Sequence, residues 1–539
     1  RHQDFAVVGN AVANSIHWRD AKKLRDAGMK VIRNAHCPQD PAFMDACDEL
    51  GLFVIVNTPG WQFWNDAPEF AQRVYSDIRN LVRRDRNHAC VWMWEPILNE
   101  TWYPEDFAKN TRDIVDQEYP YPYCYSGCDS GARGREHFPV LFTHPSYDGK
   151  SWGDKDADPK ITYFTREWGD NVDDWSSHNS PSRVARNWGE QPMLIQAQHY
   201  ANPTYTFTCY DALYRTPRQH VGGCLWHSFD HQRGYHPDPF YGGLMDIFRQ
   251  PKYSYYMFKA QRSPRTEERL FETGPMVYIA HEMTPFSGKD VTVYSNCDEV
   301  RLTFLKDGKT YTYNKVKEGM PSPVITFPDV YDFMVDKALS RKKKQDEVLL
   351  RAEGLIAGKV VATHEVHPAR RPEKVLLWVD NENVNLKADG SDFVTVVAAI
   401  ADKNGNNNYY VKFHVEGEGR ILGDAGILAN PAPVKWGTAP VLIQSTLKPG
   451  KIKVTASVLF EGSQMPVSAV LELESYPAAH PLVYSEKDAA LIAGSSSLQA
   501  AGMSAKSSAE LEQEQLLKEQ NAQRLKEVEQ QQEDFGERK

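Results

Sequence analysis

Arg84-Asp-Arg-Asn-His88-Ala-Cys90-Val-Trp-Met-Trp94-Glu-Pro-Ile-Leu98-Asn99-Glu100 is the stretch that decides the fold. A charged segment closes a helical pattern, an unbroken apolar run follows, and an amide and a carboxylate come soon after it. A near-continuous apolar run reads as a strand buried on both faces, as in a parallel sheet covered by helices. Upstream, Ala71 to Arg84 sets Val74, Ile78, Leu81 and Val82 on one helical face. Leu52-Phe-Val-Ile-Val-Asn57 is another strand. Before it, Asp40-Pro41 opens a helix, with Asp as cap and Pro at the first helical position. Phe43, Met44, Cys47 and Leu50 recur at helical spacing and Gly51 ends it. Val31-Ile-Arg-Asn-Ala-His36 is a further strand. Downstream candidates are Tyr123-Cys-Tyr-Ser126, Val140-Leu-Phe-Thr-His144, Ile161-Thr-Tyr-Phe164 and Gly223-Cys-Leu-Trp226. Seven strands alternating with helices over residues 1–264 predict a TIM (β/α)8 barrel whose first strand is largely missing, just upstream of Arg1.

In such barrels the working residues sit at the C-terminal ends of the strands. Asn99-Glu100 ends the strand that begins near Cys90, and Glu167, in Tyr163-Phe-Thr-Arg-Glu-Trp-Gly-Asp170, ends the strand that begins at Ile161. Counting the missing strand as first, these are the fourth and seventh, on opposite sides of the mouth. Two facing carboxylates are what glycoside hydrolysis needs, and retention requires them about 5 to 5.5 Å apart. Arg166 precedes Glu167, but neighbours on a strand point to opposite faces, so it is expected to turn away. The plainer reading of a carboxylate is a surface ion pair or a helix start. That reading is preferred for Glu95, Glu105 and Glu190, and it is weak for Glu100.

The chain has 539 residues, 41% hydrophobic and 25% charged, enough for several globular domains. A formal net charge of −10 supplies no basic field for nucleic acid. No apolar run is long enough for a membrane-spanning helix. Eight cysteines in a chain of this length argue for free, buried thiols rather than a disulfide scaffold. Cys124-x3-Cys128 has no second pair, so no metal site and no cofactor is assigned. From about residue 270 the pattern changes to short strands separated by Gly, Asn and Asp turns, which predicts two immunoglobulin-like β-sandwiches, 270–371 and 372–476. Residues 477–539 are a linker and a Glu/Gln/Lys-rich tail. Its partial stripe of Leu511, Leu516, Leu517, Leu525 and Val528 is too short for a coiled coil, and a solvated helix is expected.

The barrel resembles glycoside hydrolase family 2. The resemblance rests on Arg1-His-Gln-Asp4, Ile32-Arg-Asn-Ala-His36, Asp45-Ala-Cys-Asp-Glu-Leu-Gly51, Arg84-Asp-Arg-Asn-His88, Asn99-Glu100 and Glu167-Trp-Gly169. It continues in Gly222-Gly-Cys-Leu-Trp226, Gly242-Gly-Leu-Met-Asp246 and Arg249-Gln-Pro-Lys252, and covers roughly residues 1–476 with the β-rich modules. It implies that Glu100 is the acid/base and Glu167 the nucleophile, and that Asn99 bonds the hydroxyl next to the anomeric carbon. It implies that Arg33, His36 and His2 line the terminal sugar pocket, with Trp226 as an aromatic wall. His36 alone would read as a capped strand-end histidine. His144, ending the sixth strand, is expected near the nucleophile.

Cys37, the Trp94-Glu-Pro-Ile-Leu98 approach and Trp168 depart from the family's usual residues, which bears on which sugar fits. Family members also carry two β-domains before the barrel. Their absence here leads us to expect a fragment of a longer protein. The resemblance implies a retaining exo-β-glycosidase, with β-galactosidase first by its frequency in the family. β-Glucuronidase, β-mannosidase and a non-catalytic carbohydrate-binding fragment are the alternatives. The family's glucuronidases hold the sugar carboxylate with Asn-x-Lys, and the corresponding loop, Gly234-Tyr-His-Pro-Asp-Pro-Phe-Tyr241, has no such motif. An oligo- or polysaccharide is the expected partner, homo-oligomerisation stays open, and periplasm or cell exterior is the expected compartment.

Overall fold

A computed structural model describes residues 5–122, 124–145, 160–169, 181–202, 208–232, 239–305, 309–316, 318–340, 348–368, 372–400, 410–459, 465–479 and scattered tail positions. It forms two compact units. One takes in the described residues from 17 to 368, and the other those from 372 onward together with Ala6–Ile16.

The first unit contains the barrel. Its strands are β1 Val31–Arg33, β2 Phe53–Asn57, β3 Val91–Glu95, β4 Gly127–Asp129, β5 Val140–Phe142, β6 Thr162–Trp168 and β7 His220–Leu225. The helices are α1 Asn14–Asp26, α2 Pro41–Leu50, α3 Pro68–Asp85, α4 Glu105–Glu118, α5 Glu190–Ala201, α6 Tyr210–Tyr214 and α7 Tyr253–Lys259. All strand pairs are parallel, β1 to β2 to β3 and β4 to β5 to β6 to β7. Among the described residues, a bridge between Trp94 and Ser126 joins the two groups.

Period-two alternation sorts the buried side chains into two layers. Ile55, Met93, Val140, Phe142, Phe164 and Cys224 fill the barrel interior. Val54 and Val56, on either side of Ile55, pack with Phe43, Leu50, Val74, Ile78 and Phe107 from the surrounding helices. The outer edges of β1 and β7 flank a cleft of about 570 Å³ that runs to Arg33, Arg166 and Trp226.

The helix predicted at Asp40-Pro41 forms as α2. The Asp40 carboxylate accepts the Ala42 N–H at 2.8 Å, and Gly51 ends the helix at φ +66°, a left-handed conformation that favours glycine. Asp40→Ala is expected to cost about 1 kcal/mol of stability, read by denaturant unfolding, with Asp40→Asn losing less. Asp48 of α2 holds the segment before β3: it accepts the Cys90 N–H at 2.6 Å and bonds His88 Nδ1 at 2.7 Å. The charged motif ahead of β3 is thus a clamp on the strand that leads to the site.

One expectation is corrected. The strand read at 123–126 begins later, as Gly127–Asp129, because Tyr125 and Ser126 are spent on Trp94: the Tyr125 carbonyl accepts the Trp94 N–H at 3.0 Å. Glu190 opens α5 as a helix-start carboxylate. It is buried, its carboxylate accepts Ser287 Oγ at 2.6 Å and the Glu282 N–H at 3.0 Å, and burial raises its pKa.

After the barrel, a four-stranded antiparallel sheet and a three-stranded sheet enclose a core of Val291, Val293, Leu302, Phe304 and Leu350. In the second unit a four-stranded and a five-stranded sheet enclose Val396, Phe413, Val441, Ile443 and Val454. Both are two-layer β arrangements with alternating strands. In the tail, Gln515, Leu516, Glu519 and Gln523 are helical and exposed, and the remainder of the predicted stripe lies outside the described residues.

Candidate active site

Arg33, the last residue of β1, organises the mouth. Its side chain is 2% exposed and forks onto Glu95 at the end of β3: Nε donates to Oε2 at 2.7 Å and Nη2 to Oε1 at 2.6 Å. Nη1 donates to Glu167 Oε1 at 2.8 Å, and Nη2 also reaches Asn99 Oδ1 at 3.3 Å. One planar cation therefore ties together three strand ends, the geometry guanidinium is suited to.

Glu95 is a correction to the sequence reading. It is 0% exposed and paired, not a surface carboxylate. The signal was its position as last residue of a barrel strand, just before Pro96.

Glu167 sits at the end of β6, 16% exposed. Burial alone would raise its pKa, but Arg33, Arg166 and His36 outweigh this and hold the carboxyl below its ordinary value. His36 Nε2 lies 3.8 Å from Glu167 Oε1 and 3.5 Å from Asn99 Nδ2. The His36 ring is flanked by Trp61 and Trp226, each with ring centroid 5.3 Å away. Arg33, His36, Asn99, Glu167 and Trp226 thus meet at one place. His2 lies outside the described residues.

Glu100 stands at the rim, with its side chain 44% exposed. Its φ of +49° is left-handed, a conformation that costs a non-glycine residue on the order of 1 kcal/mol. Gln62, in the loop after β2, donates to Glu100 Oε2 at 2.7 Å, and its N–H bonds the Asn99 carbonyl at 2.9 Å. Gln62 and Trp61 were not singled out from sequence, since exposed loop residues carry no periodicity.

Arg166 does not turn away. Its Nη2 donates to Glu100 Oε1 at 3.2 Å and its Nε lies 3.9 Å from Glu167 Oε1. The reason is a break in pairing: β6 and β7 shift register between Thr165 and Trp168, so strict alternation fails where these two residues lie. His144 follows β5 and shares a hydrogen bond with Thr208 at 3.1 Å. Burial and then Arg166 lower its pKa, so the ring is neutral at neutral pH.

Among the described residues, Asp48, His88 and Cys90 form one cluster with metal-ligand types, and Glu105, Glu136 and His137 another. In the first, Asp48 is engaged by His88 and the Cys90 N–H; the second includes the exposed Glu105 and Glu136. The eight cysteines are free thiols, all buried except the half-buried Cys37.

A deep carboxylate held ionised by cations and a shallower one beside an amide, both reached by Arg166, can carry out nucleophilic attack and proton transfer on one bound molecule. Residues 1–127 match the description "Glycosyl hydrolases family 2, TIM barrel domain", and residues 377–459 match "Glycoside hydrolase family 2 C-terminal domain 5". A beta-galactosidase of Thermoanaerobacter pseudethanolicus is 29% identical over 490 residues, 87% of this chain and 60% of that protein. A putative beta-glucuronidase of Formosa agariphila is 23% identical over 56% of this chain and 40% of its own length. Among solved structures, a family 2 beta-glucuronidase aligns with TM-score 0.62 at 18% identity, covering 89% of this chain and 48% of that one. A beta-glycosidase from Bacteroides vulgatus aligns with TM-score 0.61 at 22% identity, covering 88% and 63%. The structural likeness concerns the fold, a TIM barrel followed by β-sandwich domains. The chain spans 60% of the length of the Thermoanaerobacter relative.

Proposed function

We propose that this chain, which carries the TIM barrel and C-terminal domain of glycoside hydrolase family 2, is a retaining exo-β-glycosidase with a terminal β-galactoside as its substrate. The observation that carries the reading is the asymmetry of its two carboxylates. Glu167 is sunk and held by Arg33 at 2.8 Å, while Glu100 stands at the open rim.

In the first step Glu167 attacks the anomeric carbon and Glu100 protonates the departing glycosidic oxygen, leaving a glycosyl ester on Glu167. In the second, Glu100 takes a proton from water, which attacks the same carbon and releases Glu167. Asn99 is oriented by Arg33, which also holds Glu167, and it precedes Glu100 in the chain, a place that suits the hydroxyl next to the reacting carbon. His36 between Trp61 and Trp226 supplies an aromatic wall for a sugar face. The beta-galactosidases among the relatives support galactose, and the putative beta-glucuronidases make glucuronide the competitor.

The test is hydrolysis of p-nitrophenyl β-galactoside, glucuronide, mannoside and glucoside by the folded chain, with product anomers followed by NMR. Preferential cleavage of the galactoside with β-anomer released first is expected. Preference for another sugar overturns the specificity, α-anomer released first overturns the retaining mechanism, and binding of galactose without turnover of any substrate overturns the enzyme.

A further inference from the structure

Two residues at the barrel mouth hold left-handed backbones that favour glycine, and they are bonded to each other. Gln62 stands at φ +54° and Glu100 at φ +49°. Gln62 Nε2 donates to Glu100 Oε2 at 2.7 Å, and the Gln62 N–H donates to the Asn99 carbonyl at 2.9 Å. Strain kept at two bonded positions beside a site points to function.

The segment that carries Gln62 is anchored on both sides. Thr58 bonds the Glu95 carbonyl through its N–H at 3.0 Å and its Oγ1 at 3.3 Å. The Gly60 N–H donates to the His36 carbonyl at 3.2 Å, and Trp61 forms a parallel bridge with Asn99 while its ring stacks on His36. The Gln62 amide thus rides on backbone tied to the extensions of β1 and β3, as a group that must orient another requires. Glu100 needs such a partner, because its side chain stands 44% exposed at the rim.

The chemistry says why an amide suits. Over the two steps Glu100 alternates between carboxylic acid and carboxylate, so a lasting partner has to bond both forms. An amide N–H donates to a carboxylate oxygen or to the carbonyl oxygen of the acid, and it brings no charge. Arg166, which donates to the other Glu100 oxygen at 3.2 Å, is shared with Asp129 at 2.5 Å.

We infer that Gln62 is a positioning residue that holds the Glu100 carboxyl in the orientation for proton transfer to the leaving oxygen. The inference rests on the reading of Glu100 as acid/base.

The test compares kcat/KM for an alkyl β-glycoside, whose leaving group needs a proton, with that for the dinitrophenyl β-glycoside of the same sugar, whose leaving group does not. Gln62→Met keeps the length and loses the amide. Gln62→Asn keeps the amide, falls one methylene short and enters the left-handed region more readily. Both are expected to lower kcat/KM for the alkyl glycoside about 10- to 10²-fold, the cost of misplacing a reacting group by about 1 Å. The dinitrophenyl glycoside should change by less than about threefold, since no general acid acts on it. The denaturation midpoint of Gln62→Asn should match the parent's. Equal losses on both substrates, no loss on either, or a loss that tracks a lowered midpoint overturns the inference. A folded parent that cleaves neither substrate overturns the proposed function, and the contact is then judged alone. In the chain labelled with 15N at glutamine side chains, the Gln62 amide signal, assigned by its loss in Gln62→Met, is expected to move in Glu100→Ala. A signal that stays in place overturns the contact.

Discussion

Glu167→Gln is expected to abolish turnover of whichever p-nitrophenyl glycoside the parent cleaves, with kcat falling on the order of 10⁶-fold, as loss of a covalent nucleophile does elsewhere. The amide is close to isosteric and can still meet Arg33, so the loss reports chemistry rather than collapse. Glu100→Gln should lose less, about 10²- to 10⁴-fold, the usual contribution of a general acid/base. The loss should be smaller for p-nitrophenolate, which departs without a proton, than for an alkyl leaving group. Azide needs no deprotonation to attack, so it should restore turnover in the Glu100 variant with the β-glycosyl azide as product, whereas azide standing in for a lost nucleophile gives the α-glycosyl azide. An α-glycosyl azide from Glu100→Gln would reverse the two assignments, and near-parental rates in Glu167→Gln would remove it as nucleophile.

The pH dependence follows with a defined sign. Desolvation works to raise the Glu167 pKa, but Arg33, Arg166 and His36 prevail and lower it. Glu167 therefore stays ionised below the ordinary glutamate range, and with Glu167 as the proposed nucleophile the acid limb of kcat/KM should lie under the ordinary glutamate value of about 4.3. The same shift makes Glu167 a source of stability above its unfolded pKa, lost as pH falls through the lower folded value.

Much of this arrangement was readable from local sequence. Asp40-Pro41 and Gly51 mark both ends of α2 because caps and left-handed glycines are local chemistry. The buried strands announce themselves as apolar runs, and the two carboxylates stand out because each follows one. What escaped was set by partners far along the chain. Glu95 looked like a surface group because its cation, Arg33, lies on β1, 62 residues earlier. Arg166 was expected on the far face because alternation is assumed regular, and only the pairing with β7 displaces it. Asp129 fell beyond a strand placed too early, and Gln62 sits in a loop whose position depends on Asn99. Some motif residues act on folding rather than chemistry. A Cβ on Gly243 would collide with backbone at Phe229, Asp230 and Met245. The same turn sends the Gly243 N–H to Asp230 at 2.9 Å, beside the buried Lys252–Asp230 pair at 2.7 Å.

The other large effect is expected at Arg33. Arg33→Met removes the only side chain hydrogen-bonded to the Glu95 carboxylate among the described residues and leaves that carboxylate 0% exposed. Breaking a buried pair from one side costs about 3 to 5 kcal/mol because the surviving charge has lost both water and partner. That is a large fraction of the stability of a typical domain, so a sharply lower denaturation midpoint is expected. Glu95→Gln alone should also destabilise, since the cation keeps Glu167 but loses its fork. The double variant Arg33→Met/Glu95→Gln should be more stable than Arg33→Met, because no buried charge is then orphaned. Additive losses would mean that the pair is not coupled and that Arg33 matters through packing. Arg33→Lys separates structure from catalysis. It keeps a positive charge near Glu95 but cannot reach Glu95, Glu167 and Asn99 together, since an ammonium lacks the planar fork. In the folded Lys variant the charge stands farther from Glu167 and the Arg33 hydrogen bond is lost, so the Glu167 pKa rises and the acid limb of kcat/KM moves to higher pH. An acid limb that stays at the parental position would show that Arg166 and His36 suffice to hold Glu167 ionised, and would reduce Arg33 to a brace for β3.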